Sequence, residues 1–206
     1  MAAWLNRWLR RIPVWLVWLL GLIPLALLIA DTLTGGLGVE PVRDIEHRLG
    51  RTALYFLVAS LAVTPLLRLT RVNLIRYRRA LGLLCFTYAV LHLLAWVSMD
   101  MAFLWAQMSR DLIKRPYLFF GMAGFAILLA LAVTSNNRAI RYMGMGWRRL
   151  HQLIYVAAPL VVLHWIWALK TFPVIPAIWM GVILGLLLVR LATRRPVMKK
   201  ANERIV

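Results

Sequence analysis

The sequence predicts an all-α integral membrane protein: a six-helix transmembrane bundle with both termini in the cytoplasm. The first observation is composition, since 63% of the residues are hydrophobic, 16% are charged and the mean hydropathy is +0.77. A soluble domain is about half apolar and about a quarter charged. The second observation is six uncharged segments near the length of about 20 residues that a membrane-spanning helix needs. The third is an uneven distribution of basic residues over the connecting loops.

Six windows without Asp, Glu, Lys or Arg define the predicted helices, at 12–30, 52–67, 80–99, 116–137, 150–169 and 171–189. The second window is short, and we expect its helix to extend back past Arg51 to about residue 48, with the Arg51 side chain reaching the interface. Prolines interrupt several windows, which membrane helices tolerate where neighbouring helices replace the lost backbone hydrogen bond. Six helices in 206 residues predict one domain, 1–206.

The basic residues indicate the orientation of the bundle. If the N-terminus is cytoplasmic, the cytoplasmic segments hold 18 of the 25 Lys and Arg residues, as the positive-inside rule expects. Six of the seven acidic residues fall on the opposite loops: Asp31, Glu40, Asp44, Glu46, Asp100 and Asp111. The net charge of +18 therefore indicates topology and attraction to anionic lipid, and no role in nucleic-acid binding is expected.

Two histidines lie at matched depths in two of the windows. His92 is 13 residues beyond Arg79 and His164 is 15 residues beyond Arg149, which places both about 20 Å from the same membrane edge. A buried polar group in hydrocarbon needs a partner, and ionisable residues there are candidate functional residues. Two imidazoles at equal depth on parallel helices can ligate one haem iron from its two faces. The alternative is a pair of histidines that hydrogen-bond helix to helix.

A third histidine, His151, lies 13 residues before His164, about 20 Å nearer the cytoplasm. Pro159 lies between the two and is expected to bend the helix. The positions facing His151 in the third window are Arg78 and Arg79, which cannot ligate iron but could pair with haem propionates. His151 is thus either a ligand of a less symmetric inner haem or a polar residue near the interface. His47 is either solvated or a protonatable group near a quinol site or an outer haem.

Several motifs resemble the ferric-reductase-like transmembrane superfamily, which includes NADPH oxidases and metalloreductases. They are the run from Arg78 to Leu83 leading to His92, and Trp147-Arg148-Arg149-Leu150-His151 with His164 thirteen residues on. The match narrows to the MsrQ (YedZ) family, haem-binding membrane subunits of bacterial periplasmic methionine-sulfoxide reductase systems. The motifs that carry this closer resemblance lie at residues 36–42, 44–47, 50–54, 64–66 and 115–118.

The resemblance implies a multi-pass protein of the bacterial inner membrane with haem b and FMN. It implies that His92, His151 and His164 are haem histidines, and that Arg78 stands where NADPH oxidases have an inner ligand. It also implies electron delivery from the quinone pool or a cytoplasmic flavin reductase to a periplasmic molybdopterin partner, MsrP-like, which reduces methionine sulfoxide. Only a basic tail follows the sixth window, so we do not expect the chain to take hydride from NADPH itself.

Two other functions use the same residues. A self-contained ferric or cupric reductase would use the same haem but deliver electrons to free metal. A transporter or proton channel would use the histidines as relay groups and would carry no haem. Of the three functions, the histidine pair and the resemblance favour an electron-transfer subunit, with the substrate chemistry in its partner.

Overall fold

The computed structural model describes residues 2–169 and 173–193, and every regular element within those ranges is a helix. The helices are α1 (Ala2–Arg11), α2 (Val14–Thr34), α3 (Pro41–Thr70), α4 (Arg78–Ala95), α5 (Trp105–Lys114), α6 (Pro116–Val133), α7 (Asn137–Met143), α8 (Met145–His151), α9 (Ile154–Ala168) and α10 (Val174–Ala192). A 3₁₀ turn (Ile75–Tyr77) precedes α4, and a π-type turn (Trp96–Asp100) follows it. The all-α prediction is confirmed.

Within the described ranges, six helical segments are long and apolar enough to cross a membrane: Val14–Thr34, Pro41–Thr70, Ile75–Asp100, Pro116–Val133, Met145–Ala168 and Val174–Ala192. The second begins at Pro41 and so extends well before Arg51, as expected. The predicted start of the sixth window at Thr171, the basic residue Lys170 and the basic tail lie outside the described residues. Two groups of connecting segments result, which we call the acidic end (31–51 and 100–116) and the arginine-rich end (68–79 and 134–149).

The helix boundaries follow from local chemistry. Pro41 and Pro116 occupy the first positions of α3 and α6, where a missing N–H costs nothing and the fixed φ suits a helix. Gly35 ends α2 with φ 72°, a left-handed conformation that glycine adopts without strain. At the other end of the bundle, the Asn136 side chain accepts a hydrogen bond of 2.7 Å from the Ala139 N–H and caps α7. Gly144, with φ 51°, makes the turn between α7 and α8.

Two helix pairs form the centre of the bundle, α3 with α4 and α6 with α9. The pairs meet in a core contributed by α3, α4, α6, α9 and α10, whose buried members are Leu54, Leu57, Leu61, Cys85, Leu128, Ala158, Val162 and Ile183. Cys85, the single cysteine of the sequence, packs in this core. A second cluster joins α2 to α3 and α4 through Leu28, Leu49, Ala53, Tyr88 and Ala95.

A tyrosine repairs the backbone of α2 next to its internal proline. The Tyr88 hydroxyl donates a 2.7 Å hydrogen bond to the Gly21 carbonyl and accepts a 3.1 Å bond from the Leu25 N–H. These two backbone groups are four residues apart, the spacing of a direct helical hydrogen bond, and the hydroxyl bridges them. A side chain inserted into this ladder beside Pro24 is a recognised cause of a helix bend. The bond that Pro24 itself lacks, to the Leu20 carbonyl, is a different one, so Tyr88 supports the backbone next to the proline.

Two helices outside the six spans are amphipathic. In α1, Trp4, Leu5 and Trp8 are exposed, and Arg7, Arg10 and Arg11 share the same ten residues. The helix is attached to the arginine-rich end, because Asn6 bonds the Arg71 carbonyl and the Asn73 N–H. At the acidic end, α5 exposes Trp105 and Ile113 and buries Met108. Exposed tryptophans beside basic residues are typical of a membrane–water interface.

Candidate haem site

His92 and His164 face each other across the junction of the two helix pairs. His92 lies near the end of α4, and His164 lies near the end of α9. Their ring centres are 6.2 Å apart, with the ring planes at 76°. The depth matching predicted from the sequence therefore corresponds to a direct juxtaposition of the two imidazoles.

Both imidazoles donate a hydrogen bond to a backbone carbonyl of the partner helix in their own pair. His92 Nδ1 lies 2.9 Å from the Glu46 carbonyl oxygen of α3, and His164 Nδ1 lies 2.8 Å from the Tyr117 carbonyl oxygen of α6. A carbonyl only accepts hydrogen bonds, so the proton of each neutral ring is on Nδ1 and the lone pair is on Nε2. A histidine that binds a metal through one ring nitrogen usually donates the N–H of the other to a carbonyl or carboxylate in this way.

The spacing of the rings fits one iron between them. With about 2 Å for each metal–nitrogen bond and about 1 Å from the nitrogen to the ring centre, two imidazoles on opposite sides of an iron have centres about 6 Å apart. The observed 6.2 Å agrees. Two facing imidazole donors match the two axial positions of a haem iron.

The histidines line a cavity of about 990 Å³, within the range of about 300–1,000 Å³ usual for ligand and cofactor sites. Its deep part is apolar and its rim, at the acidic end, is charged. The apolar residues include Leu54, Leu57, Cys85, Phe125, Leu128, Val161 and Trp165, and the rim residues include Glu40, Arg43, Glu46, His47, Arg51 and Asp100. An apolar slot with a charged mouth matches haem, which has an apolar macrocycle and two carboxylates.

The cavity distinguishes the positions of His47 and of the two tryptophans that flank His164, Trp165 and Trp167. His47 lines the cavity, which is compatible with both roles considered for it. Trp165 also lines the cavity, whereas Trp167 packs on Phe120 with ring centres 5.0 Å apart and is half exposed. Of the two tryptophans beside His164, only Trp165 is therefore placed to contact a macrocycle.

His151 lies apart from this pair, at the arginine-rich end. Its ring stacks on Trp147 with centres 4.0 Å apart, and its Nε2 lies 3.1 Å from the Thr134 hydroxyl. That hydroxyl also bonds the Ala130 carbonyl at 2.7 Å, so its proton is used there and His151 is the donor to it. His151 and His164 nevertheless contact opposite ends of the same helix, α6.

The helix carrying both histidines is interrupted between them. The interruption lies at Gln152–Leu153, where α8 ends and α9 begins, and α9 continues through Pro159. Backbone bonds here span three residues, from Gln152 to Arg149 and from Tyr155 to Gln152, which is the tighter 3₁₀ pattern. The tightened turn thus lies next to His151, and α9 runs through Pro159 as one helix.

Arg78 and Arg79 lie at the same end as His151. Arg79 donates a 3.2 Å hydrogen bond to the Asn137 side chain at the start of α7, and Arg78 precedes it as the first residue of α4. The structure therefore brings His151, Arg78 and Arg79 to one region, separate from the His92–His164 pair.

Two glycines and two carbonyls of this site were not singled out as functional from the sequence. Gly50 lies against the His92 ring and Gly121 against the His164 ring. A glycine inside an apolar span often marks a close approach between helices, so the glycines themselves were the signal in the sequence. The sequence does not show which side chain of the neighbouring helix approaches each glycine.

Comparison with known proteins identifies the family of this chain. Residues 49–162, more than half of the chain, match the family model for the ferric reductase like transmembrane component. Proteins from Brucella ovis, Brucella canis and Brucella melitensis are 39% identical to this chain over 197 residues, which cover 93% of this chain and 90% of each relative. Each is named protein-methionine-sulfoxide reductase heme-binding subunit MsrQ. The chain belongs to the MsrQ family.

Membership in a transmembrane family, together with six apolar helices, makes the chain a multi-pass membrane protein. The matched segment begins at Leu49 in α3 and ends at Val162 in α9. It thus includes His92 and His151 and stops just before His164. The longer alignment to the MsrQ relatives, over 93% of the chain, includes all three histidines.

Proposed function

We propose that this protein is the haem-binding electron-transfer subunit of a methionine-sulfoxide reductase system, with haem b held by His92 and His164. The observation that carries the proposal is the pair of Nδ1–carbonyl hydrogen bonds, which leaves an Nε2 lone pair on each ring at a ring-centre spacing of 6.2 Å. The names of the MsrQ relatives support the cofactor and the reductase system. Haem supplies reversible one-electron transfer when it is bound, with its potential tuned by ligands and burial.

The chain's own residues hold and shield the cofactor. The two carbonyls fix the ring orientations and make the imidazoles more basic ligands. The apolar deep part of the cavity excludes water, and Arg43 and Arg51 place positive charge at the rim, where the two haem carboxylates would be stabilised. The acidic end would then be the exit for electrons.

We further propose that the acidic end faces the periplasm and docks a molybdopterin reductase of the MsrP type, in the bacterial inner membrane. Electrons would come from the quinone pool or from a cytoplasmic flavin reductase. FMN, implied by the resemblance, would find positive charge at the arginine-rich end, and extraction with fluorescence quantification of the purified protein tests for it. His151, with Arg78 and Arg79, remains the candidate for a second, inner haem.

The orientation makes a labelling prediction. Gly38→Cys places a thiol at the acidic end where nothing lies within 4 Å of the added group, and Tyr142→Cys places one at the arginine-rich end on a fully exposed side chain. In a Cys85→Ala background, a membrane-impermeant maleimide added to intact spheroplasts should label Gly38→Cys and spare Tyr142→Cys. Labelling of both after detergent lysis controls for reactivity. The reverse pattern in spheroplasts would contradict the proposed orientation.

Electron delivery makes a kinetic prediction. The dithionite-reduced protein, freed of excess reductant, should be reoxidised rapidly in stopped-flow mixing with a periplasmic molybdopterin reductase supplied with methionine sulfoxide. Omitting either the reductase or the sulfoxide should slow reoxidation by at least tenfold. Equal reoxidation rates with ferric citrate and no partner would instead support the self-contained metal reductase.

A further inference from the structure

The two candidate haem ligands are held by the same local arrangement, which occurs twice in the fold. Each imidazole lies against a glycine of the helix that its own helix packs on. A Cβ atom built on Gly50 of α3 would lie 3.3 Å from His92 Nδ1, and one built on Gly121 of α6 would lie 2.7 Å from His164 Nδ1. The ring therefore occupies the space that any other residue's side chain would begin to fill.

The carbonyl that each ring bonds lies four residues before the glycine. Glu46 precedes Gly50 by four residues, and Tyr117 precedes Gly121 by four. In an α-helix each Cα–Cβ bond tilts toward the N-terminus, so a side chain covers the turn that precedes it. A Cβ at the fourth residue thus shields the carbonyl one turn before. Glycine at that position leaves the carbonyl open to a donor from a neighbouring helix.

We propose that Gly50 and Gly121 are positioning residues that give the His92 and His164 imidazoles access to these carbonyls. By admitting the ring, each glycine places the proton on Nδ1 and directs the Nε2 lone pair into the cavity. This inference rests on the proposed haem site and deepens it. The haem affinity and the electronic properties of the ligands then depend on two residues that do not touch the iron.

The two positions differ in tightness, which makes the proposal quantitative. At Gly121 the distances of 2.7 Å and 2.9 Å to Nδ1 and Cε1 of His164 are too short for any real Cβ, so the ring must move. That ring is held by the Tyr117 carbonyl on one side, and moving it breaks the bond. At Gly50 the distances to the same atoms of His92 are 3.3 Å and 3.4 Å, so a small displacement relieves the contact. Substitution by alanine should therefore lower haem affinity more at Gly121 than at Gly50.

The test compares Gly121→Ala and Gly50→Ala with two matched controls in the full-length protein. Gly82→Ala lies on α4, the helix of His92, where the nearest atom is Ser60 Oγ at 3.8 Å, and Gly181→Ala has nothing within 4 Å. The readouts are haem affinity by titration, the g values of the ferric protein by low-temperature EPR, and the midpoint potential. Thermal unfolding of each variant monitors folding.

We expect Gly121→Ala to lower haem affinity by about 10- to 100-fold, the usual cost of disturbing the hydrogen bond that orients a metal ligand, and to shift the g values. Gly50→Ala should show a smaller change of the same kind, and both controls should match the wild type. If Gly121→Ala does not fold, the milder Gly50→Ala decides. Wild-type affinity, g values and potential in the folded glycine variants would overturn the inference. A wild type without haem would instead overturn the proposed function.

Discussion

Replacing either His92 or His164 by alanine is expected to remove the low-spin b-type absorption spectrum of the purified protein. The two rings supply the two axial donors at 6.2 Å spacing, so loss of either leaves the iron with one protein ligand from this pair. Because the iron's low-spin state requires both strong ligands, the bis-histidine EPR signal of this site should fall by at least tenfold in each variant, and this haem's share of the reduced α band should fall with it. The measurement is the dithionite-reduced minus oxidised spectrum, normalised to protein.

His151→Ala and His47→Ala are the matched histidine controls for this experiment. His151 is bonded to Thr134 and stacked on Trp147 at the arginine-rich end, and His47 lies at the cavity rim. Both variants should keep the EPR signal of the His92–His164 site, even if His151→Ala loses a second haem and total haem content falls. If His92→Ala and His164→Ala kept the bis-histidine signal, the ligand assignment would be wrong.

Replacing Tyr88 by phenylalanine should destabilise the bundle strongly for the loss of one oxygen atom. The ring would remain packed on Phe56, whose centre is 5.5 Å away, but the Gly21 carbonyl and the Leu25 N–H would lose their shared partner. Tyr88 is buried to 1% exposure, so no water replaces the hydroxyl. Leaving buried backbone groups unpaired costs about 1–3 kcal/mol, which should lower the midpoint of unfolding in detergent.

The control for this variant is Tyr55→Phe, at a side chain that is 47% exposed and packs on Trp179. Its effect on the free energy of unfolding should stay within about 0.5 kcal/mol, as for most surface substitutions. Tryptophan fluorescence during thermal or SDS-induced unfolding measures both variants. Equal stability of Tyr88→Phe and wild type would show that the hydroxyl does not repair the α2 backbone.

The long apolar elements were predictable because a membrane imposes a simple rule on composition. Each of the six windows overlaps one long apolar helix, since uninterrupted apolar sequence of this length has few alternatives. The extension of the second span to Pro41 was harder to place, because Arg43, Asp44, Glu46 and Arg48 interrupt the apolar pattern. In the structure Arg48 pairs with Asp31 and Asp44, which lets a charged turn continue the helix at the acidic end.

The candidate ligands were predictable, but their supporting contacts were not. Equal depth on two parallel helices follows from sequence spacing, and it led to His92 and His164. The carbonyls of Glu46 and Tyr117 carry no sequence signal, because every residue has a carbonyl and only packing decides which one meets a ring. The role of Tyr88 depends in the same way on how α4 is rotated against α2. Helix rotation is a property of the packed bundle and not of any local pattern.

The interfacial helices α1 and α5 show a similar limit. Both combine apolar and charged residues in about ten positions, too few and too polar to predict a span. Such short segments form helices mainly where a surface binds their apolar face. The sequence therefore indicated basic or acidic loops there, and the helices emerged only with the structure.

The low-temperature EPR spectrum of the oxidised wild-type protein, purified in detergent after expression with ample haem supply, tests most directly whether His92 and His164 share a haem. We predict a low-spin ferric signal of bis-histidine type, together with a b-type absorption spectrum on reduction. The near-perpendicular rings, at 76°, further predict a strongly anisotropic form of that signal. A colourless protein, or only high-spin ferric haem, would contradict the assignment of His92 and His164 as a shared ligand pair.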